Sequence, residues 1–180
     1  MRTVRTLWAM TGLRLFSGSI VAPFGPVTVV AGDDGLRCVS FAGEPGTRLP
    51  ADASVERADS HPVVARTLAQ LREYLAGTRR EFDLPLLLDG TEFQVAAWRA
   101  LARVPYSGTA SYATQAASIG RPTATRAVGA ANGRNPVAIV LPCHRIVGAD
   151  GSLTGFAGGL ETKKWLLAHE GAVLAGRGAA

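Results

Sequence analysis

Two β-branched and apolar runs, "FGPVTVVA" and "LRCVSFA", flank "GDDG" and predict a pair of strands joined by a hairpin. The period then lengthens. In "SHPVVARTLAQLREYLAG", Val64, Leu68, Leu71 and Leu75 recur at helical spacing, with Ser60 placed to cap the start and Gly77 to stop the helix. "EFDLPLLL" predicts one more strand, which Pro85 confines to a sheet edge. Between these, "EPGTRLPADASVERADS" reads as a polar loop. The first half is therefore expected to be a small α+β unit over residues 13–88.

The second half changes character. "TEFQ" is a capping-box pattern, Thr91 to Gln94, opening a helix that stops before Pro105. Phe93, Ala97, Ala100, Leu101 and Val104 give that helix its core face. "SYATQAASIG" and "PTATRAVGAANG" are two short helical stretches across Gly120-Arg121, with Pro122 suited to a first helical turn. Short helices across a tight glycine-containing turn make a helix-turn-helix pattern.

The second of these helices is poor in base-reading side chains. Ala124, Ala127, Gly129, Ala130 and Ala131 dominate it, and Arg126 is its one long charged residue. A reader of major-groove edges needs Arg, Asn, Gln or Lys along the exposed face. A smooth helix fits instead against a minor groove, with a single arginine free to enter the base stack and no sequence preference. Tight packing between helices accounts for the same residues equally well.

Charge sharpens the division. Residues 1–90 carry ten Lys/Arg against ten Asp/Glu, and residues 91–180 carry nine against four, so the net +5 lies entirely in the second half. A neutral half joined to a basic half points to a polyanionic partner, and also fits a merely solvated surface. Two distant cysteines, Cys38 and Cys143, are too few for a disulfide framework or a metal cluster, so reduced thiols are expected. The basic start lacks a secretory core and no stretch is long enough to span a bilayer, so a cytoplasmic setting is expected.

The chemistry centres on "LPCHRIV". In this reading "NPVAIVLP" brings a buried strand to Cys143, and Pro142 breaks it. A regular strand would point Cys143 and His144 to opposite faces, so a turn is expected there. A nucleophilic thiol needs a base or a positive field to become a thiolate, and His144 and Arg145 stand beside it. A histidine in that role needs an acceptor for its second ring nitrogen, for which Glu170 in "LLAHEG" is the candidate. A structural Cys-His pair and a solvated Glu170 are the alternatives. "GADGSLTGFAGG" is a loop whose backbone can approach a flat ligand, with Phe156 either stacking on that ligand or plugging the core.

Taken together, "LPCHRIVGADGSLTGFAGGLETKKWLLAHEG" closely resembles the active-site segment of the O6-alkylguanine-DNA alkyltransferases, also called methylated-DNA–protein-cysteine methyltransferases. "TEFQVAAWRALARVPYSGTASYATQA" and "TRAVGAANGRNP" resemble the helix-turn-helix region of the same family, and the likeness extends more thinly through "APFGPVTVVAGDDGLRCVSF". The resemblance implies an α+β fold: an N-terminal sheet-plus-helix domain over 13–88, then a mostly helical alkyltransferase domain over 89–175. An extension over 1–12 and a tail over 176–180 flank them, with Met10 an alternative start.

It further implies direct reversal of DNA damage without a cofactor or metal. An alkyl group on guanine O6, and on thymine O4, passes from a flipped base to Cys143, because an atom inside a stacked duplex is out of reach. His144 takes the thiol proton through a bound water, and Glu170 orients His144. Arg126 fills the vacated stack, Tyr112 donates to the flipped base, Asn135 braces the turn and Arg121 contacts a phosphate. The backbone of Phe156, Ala157 and Gly158 lines the base pocket, whose width depends on side chains such as Ala138 and Thr154. The partner is double-stranded DNA, bound through its minor groove by a monomer.

The chain departs from the pattern in places. Phe156 stands where many members have tyrosine, and "PYSGT" replaces the usual Pro-Tyr-Gly-Glu-Thr. The Cys/His set that binds structural zinc in some relatives is missing from the N-terminal half, and neither a metal nor a fused cysteine-rich sensor domain is expected. Three rival readings are a non-catalytic DNA-damage-binding module, a cysteine hydrolase built on Cys143, His144 and Glu170, and a helix-turn-helix regulator.

Overall fold

The computed structural model describes residues 13–41 and 49–171. The expectations for the N-terminal extension, Met10 and the C-terminal tail lie outside them.

Strands β1 (Arg14–Ala22), β2 (Gly25–Gly32), β3 (Gly35–Phe41) and β4 (Ser54–Arg57) form one sheet in the order β3-β2-β1-β4. β1, β2 and β3 are an antiparallel meander, and Gly32 pairs with Gly35 across Asp33 and Asp34 at the expected hairpin. β4 lies parallel to β1, pairing Leu15 with Val55. This corrects the polar-loop reading of that segment, whose four residues are all exposed and so carry no apolar alternation to betray a strand. "EFDLPLLL" is corrected in the other direction. It runs beside β3 with one isolated bridge, Leu36 to Leu86, and the Pro85 carbonyl accepts from the Leu36 amide at 2.7 Å. The Leu87 amide returns a bond to the Leu36 carbonyl at 2.9 Å, but Pro85 has no amide with which to extend the pairing, and no ladder develops.

Helix α1 (Pro62–Leu75) packs Val64, Leu68 and Leu71 on one face of the sheet. Burying each such side chain contributes roughly 1.5–3 kcal/mol. Gly18 on β1 makes the approach possible: a Cβ there would stand 2.7 Å from Val64 Cγ1 and 2.8 Å from Leu68 Cδ1. The N-cap is His61, not Ser60, and it makes no side-chain cap; Pro62 opens the helix, where its missing N–H costs nothing. Leu15, Val30 and Cys38 form a small separate cluster, whereas Cys143 belongs to the main core with Val27, Val29 and Leu71.

Helix α2 (Glu92–Leu101) starts with the predicted box: the Thr91 amide donates to Gln94 Oε1 at 2.9 Å and the Gln94 amide to Thr91 Oγ1 at 3.3 Å. Strand β5 (Ala110–Ser111) leads into α3 (Tyr112–Ser118), and α4 (Thr125–Asn132) follows the turn at Gly120. Pro122 falls in that turn, ahead of the helix it was expected to start. A buried polar pin joins the three helices. Gln115 and Asn132 exchange amide hydrogen bonds at 3.0 and 2.7 Å, Gln115 Nε2 also donates to the Ala97 carbonyl, and Trp98 Nε1 donates to that of Ala131 at 2.8 Å.

"NPVAIVLP" is buried but is a turn, not a strand. It holds one bridge, Val39 to Val137, and Ile139 has a φ of 70°. The chain then makes a single 3-10 turn at Cys143–Arg145, strand β6 (Ile146–Val147) and helix α5 (Leu160–His169). β6 pairs in parallel with β5, so the segment leaving the cysteine is hydrogen-bonded to the segment entering α3. Among the described residues no helix is long and apolar enough to cross a membrane.

Candidate active site

Pro142 ends the buried turn, and the Arg145 amide donates back to its carbonyl at 3.0 Å, closing the 3-10 turn that carries Cys143, His144 and Arg145 inward. Asn135 braces this geometry from one side chain. Its Nδ2 donates to the Leu141 carbonyl at 2.7 Å and to Cys143 Sγ at 3.2 Å, while its Oδ1 accepts from the Val137 amide. A donor aimed at the sulfur favours thiolate over thiol.

His144 is fully buried, and its Nε2 lies 2.9 Å from Glu170 Oε1. Glu170 follows the last turn of α5, which is packed through Leu166 and Leu167. Arg145 holds the same carboxylate twice, Nε to Oε2 at 2.8 Å and Nη2 to Oε1 at 3.0 Å, and its Nη1 donates to the Val104 carbonyl. Burial alone would raise the Glu170 carboxyl, but the bonds and charges of His144 and Arg145 outweigh it and hold the group down to about 2. Burial, aided by the charges of Arg145 and Lys163, lowers His144 below the usual imidazole range against the pull of Glu170. The ring is therefore neutral near pH 7. A carboxylate can only accept, so Nε2 carries the hydrogen and Nδ1 keeps its lone pair. Nδ1 has no hydrogen-bond partner among the described residues. The arrangement is an oriented neutral base next in sequence to a thiol.

Beside this cluster is a cavity of about 560 Å³, lined by Tyr112, Arg126, Gly129, Thr154, Phe156 and Ala157 among others. That is within the usual range for a small-molecule site. Cys143, 7% exposed, does not line it, nor does the buried Ala138. Phe156 connects the two, since its ring stands edge-on 6.4 Å from that of His144. Thr154 Oγ1 donates to the Tyr112 hydroxyl at 3.1 Å across the cavity. Arg126 is exposed on α4, whose outward positions Ala127 and Ala130 are small while Val128 and Ala131 face inward. Arg121 stands apart on the exposed turn.

Gly158 sits behind the cavity wall. A Cβ there would meet Phe41 Cδ2 at 2.7 Å and Phe156 Cε1 at 3.0 Å, so only glycine allows the loop this close to the sheet. Gly158→Ala is expected to cost about 1–3 kcal/mol of stability by forcing both rings aside. Thermal denaturation checks this, and an unshifted midpoint would show that the loop yields freely.

Several members of the site are not evident from the motif alone. Lys163 is fully buried and donates to the carbonyls of Ile146 and Thr154, tying α5 to both ends of the pocket loop. Burial lowers its ammonium to about 8, although the nearby Cys143 thiolate favours the charge. Its spacing with Leu166, Leu167 and Glu170 on one helical face is the signal that marks it. Ser107 has a φ of 64° at the "PYSGT" departure, in the place where the family pattern has glycine. Its hydroxyl donates to the Glu170 carbonyl, which compensates for a backbone conformation costly to a residue with a Cβ. Among the described residues no cluster of His, Cys, Asp and Glu suits a metal ion.

Two family models cover most of the chain. Residues 15–88 match the 6-O-methylguanine DNA methyltransferase ribonuclease-like domain, and residues 92–172 match the DNA binding domain of the same family. The methylated-DNA–protein-cysteine methyltransferase of Methanosarcina acetivorans is 44% identical over 151 residues, 83% of this chain and 94% of that protein. Its counterpart from Shigella flexneri is 40% identical over 170 residues, 90% and 99% of the two chains. The crystal structure of Mycobacterium tuberculosis OGT in complex with DNA superposes with a TM-score of 0.75 at 38% identity, covering 88% of this chain and 93% of that one. With both halves matched in sequence and the whole arrangement in structure, this chain belongs to the 6-O-methylguanine DNA methyltransferase family.

Proposed function

We propose that this chain repairs DNA as a methylated-DNA–protein-cysteine methyltransferase, moving a methyl or other alkyl group from guanine O6 to Cys143. The observation that carries this reading is a thiol that accepts from Asn135 and is followed in the chain by a neutral, Glu170-held His144, beside a cavity of about 560 Å³. The thiol proton passes through a bound water to His144 Nδ1, and Glu170 stabilises the imidazolium. The thiolate then attacks the alkyl carbon. An S–C bond forms as the O6–C bond breaks, and the electron pair leaves with the purine. Tyr112 donates to the ring as this charge spreads through it. Overall the thiol proton replaces the alkyl group on guanine, so atoms and charge balance.

Duplex DNA lies against α4 through its minor groove in this reading. The small outward residues allow the approach without reading sequence, Arg126 takes the place of the flipped base, and Arg121 holds a phosphate. Backbone amides around Phe156, Ala157 and Gly158 receive the base, and the same cavity takes O4-alkylthymine as a second lesion. Residues 13–88 act as a supporting domain for residues 89–175. A monomer suffices. Two buried cysteines that are not disulfide-bonded suit a reducing, cytoplasmic setting.

A thioether has no leaving group comparable to the thiolate of a disulfide, so cellular thiols do not reverse the product. Each molecule acts once. Mixing the protein with an oligonucleotide that carries one methylated guanine is expected to add a single methyl to the Cys143 peptide, saturating at one per protein by intact mass. Binding without a mass change would establish a damage-recognition module instead, and catalytic turnover of an ester or amide would establish a hydrolase.

A further inference from the structure

The carboxylate that orients His144 has a partner from the other half of the chain. Tyr74, near the end of α1, is fully buried, and its hydroxyl donates to Glu170 Oε1 at 2.7 Å. That oxygen already accepts from His144 Nε2 at 2.9 Å and from Arg145 Nη2 at 3.0 Å. Three donors thus converge on one atom, 96 residues separating the tyrosine from the glutamate. Burial and the Glu170 charge hold the phenol far above its ordinary range, so it remains a neutral donor wherever the protein is folded.

We propose that Tyr74 is a positioning residue for alkyl transfer: by sharing Glu170 Oε1 it sets how strongly that oxygen pulls on the His144 ring, and so the proton affinity of His144 Nδ1. The physical reason is competition. Each hydrogen bond an oxygen accepts withdraws density from it and weakens it as an acceptor for the others. A carboxylate with His144 alone would pull hard on the Nε2 hydrogen and make the ring too basic to be neutral at working pH. Tyr74 and Arg145 moderate it while keeping it ionised in a buried site.

Apart from the His144 ring itself, the surroundings leave Tyr74 the uncharged donor to that oxygen. From the 3-10 turn, Arg145 pairs with Glu170, and Cys143 is the thiol itself. From α5, Lys163 lowers the proton affinity of His144 through its charge. His169 faces the backbone of Tyr74, its Nε2 donating to that carbonyl at 2.7 Å with ring centroids 5.3 Å apart. From the loop after α2, the Tyr106 ring stands edge-on 6.3 Å from Tyr74, with Arg145 and Arg80 over it. Removing the phenol hydroxyl therefore changes the acceptor strength of Glu170 without adding or deleting a charge.

The inference rests on the alkyl-transfer reading. It is tested with the full chain and free O6-benzylguanine, a substrate that needs no DNA, by following single-turnover labelling of Cys143 across pH. Tyr74→Phe is expected to move the acid limb of the rate profile upward by about half to one pH unit, as a more basic carboxylate makes His144 more basic. Replacing Tyr74 with 3-fluorotyrosine keeps the shape, makes the phenol a stronger donor and is expected to move the limb downward. Opposite displacements support the role. Profiles for both that superimpose on the unmodified protein, with or without a loss of thermal stability, would leave Tyr74 as packing alone. If Tyr74→Phe does not fold, the fluorinated protein decides by itself. An unmodified chain that takes no label from O6-benzylguanine and no methyl from an oligonucleotide carrying methylated guanine would instead overturn the alkyl-transfer reading, and this inference with it.

Discussion

Glu170→Gln is expected to slow alkyl transfer by roughly 10²–10⁴-fold at neutral pH while leaving DNA affinity intact, a range set by acid-to-amide changes behind catalytic histidines elsewhere. The amide cannot stabilise an imidazolium, and its NH₂ group competes with the Nε2 hydrogen for orientation. The change also leaves Arg145 buried without the carboxylate that holds it at 2.8 and 3.0 Å. Breaking a buried pair from one side costs about 3–5 kcal/mol, so the melting temperature should fall by roughly 10 °C.

The pH dependence follows from the same carboxyl. Its value of about 2 in the folded protein, against an ordinary 4.5, contributes stability that is complete above pH 4.5. That contribution is lost as pH falls toward 2. Glu170→Gln should therefore flatten the acid side of the stability curve as well as lower it. Stopped-flow labelling and acid titration monitored by circular dichroism check the two parts. Transfer that is unchanged at every pH would remove Glu170 from the mechanism, whatever happens to stability.

Arg126→Ala is expected to separate chemistry from base extrusion. Arg126 is exposed on α4 and lines the cavity, which Cys143 does not. Unstacking a base costs a few kcal/mol, and an arginine filling the gap offsets part of this. At 1.4 kcal/mol per tenfold, labelling from duplex DNA should fall by about 10²-fold. Labelling from a free alkylguanine base should change by less than about twofold, because the chemistry itself is untouched. Equal losses on the two substrates would show that Arg126 supports the fold or the thiol, and the insertion role would fail.

What was legible in the sequence follows from which signals are local. The capping box at Thr91, the hairpin at Asp33-Asp34 and the face of α1 each depend on residues within a few positions of one another. The motif around Cys143 also placed Glu170 against His144, because the resemblance carries a whole segment at once. The misreadings arise where distant contacts decide. β4 is exposed at all four residues and exists because β1 offers it an edge. "NPVAIVLP" has the composition of a strand but lacks a neighbour along its length, and Ile139 turns left-handed instead. Tyr74 and Lys163 read as ordinary members of amphipathic helices. Their polar ends are identified as part of the site by partners far away in sequence, which no local pattern contains.

The contacts that cross from the first half to the second also fix an order of events during synthesis. Val39 bridges to Val137, Phe41 packs on Phe156 with ring centroids 5.3 Å apart, and Tyr74 reaches Glu170. Each of these pairs has its earlier member on the sheet or on α1. A chain leaving the ribosome folds its N-terminal units first, at about 5–20 residues per second. The sheet and α1 therefore leave the ribosome several seconds before Cys143, and the reactive sulfur arrives last at the strands and helix that cover it. A version of the chain rearranged to begin at residue 89 would present the thiol first, exposed to adventitious alkylation and oxidation until its cover was made.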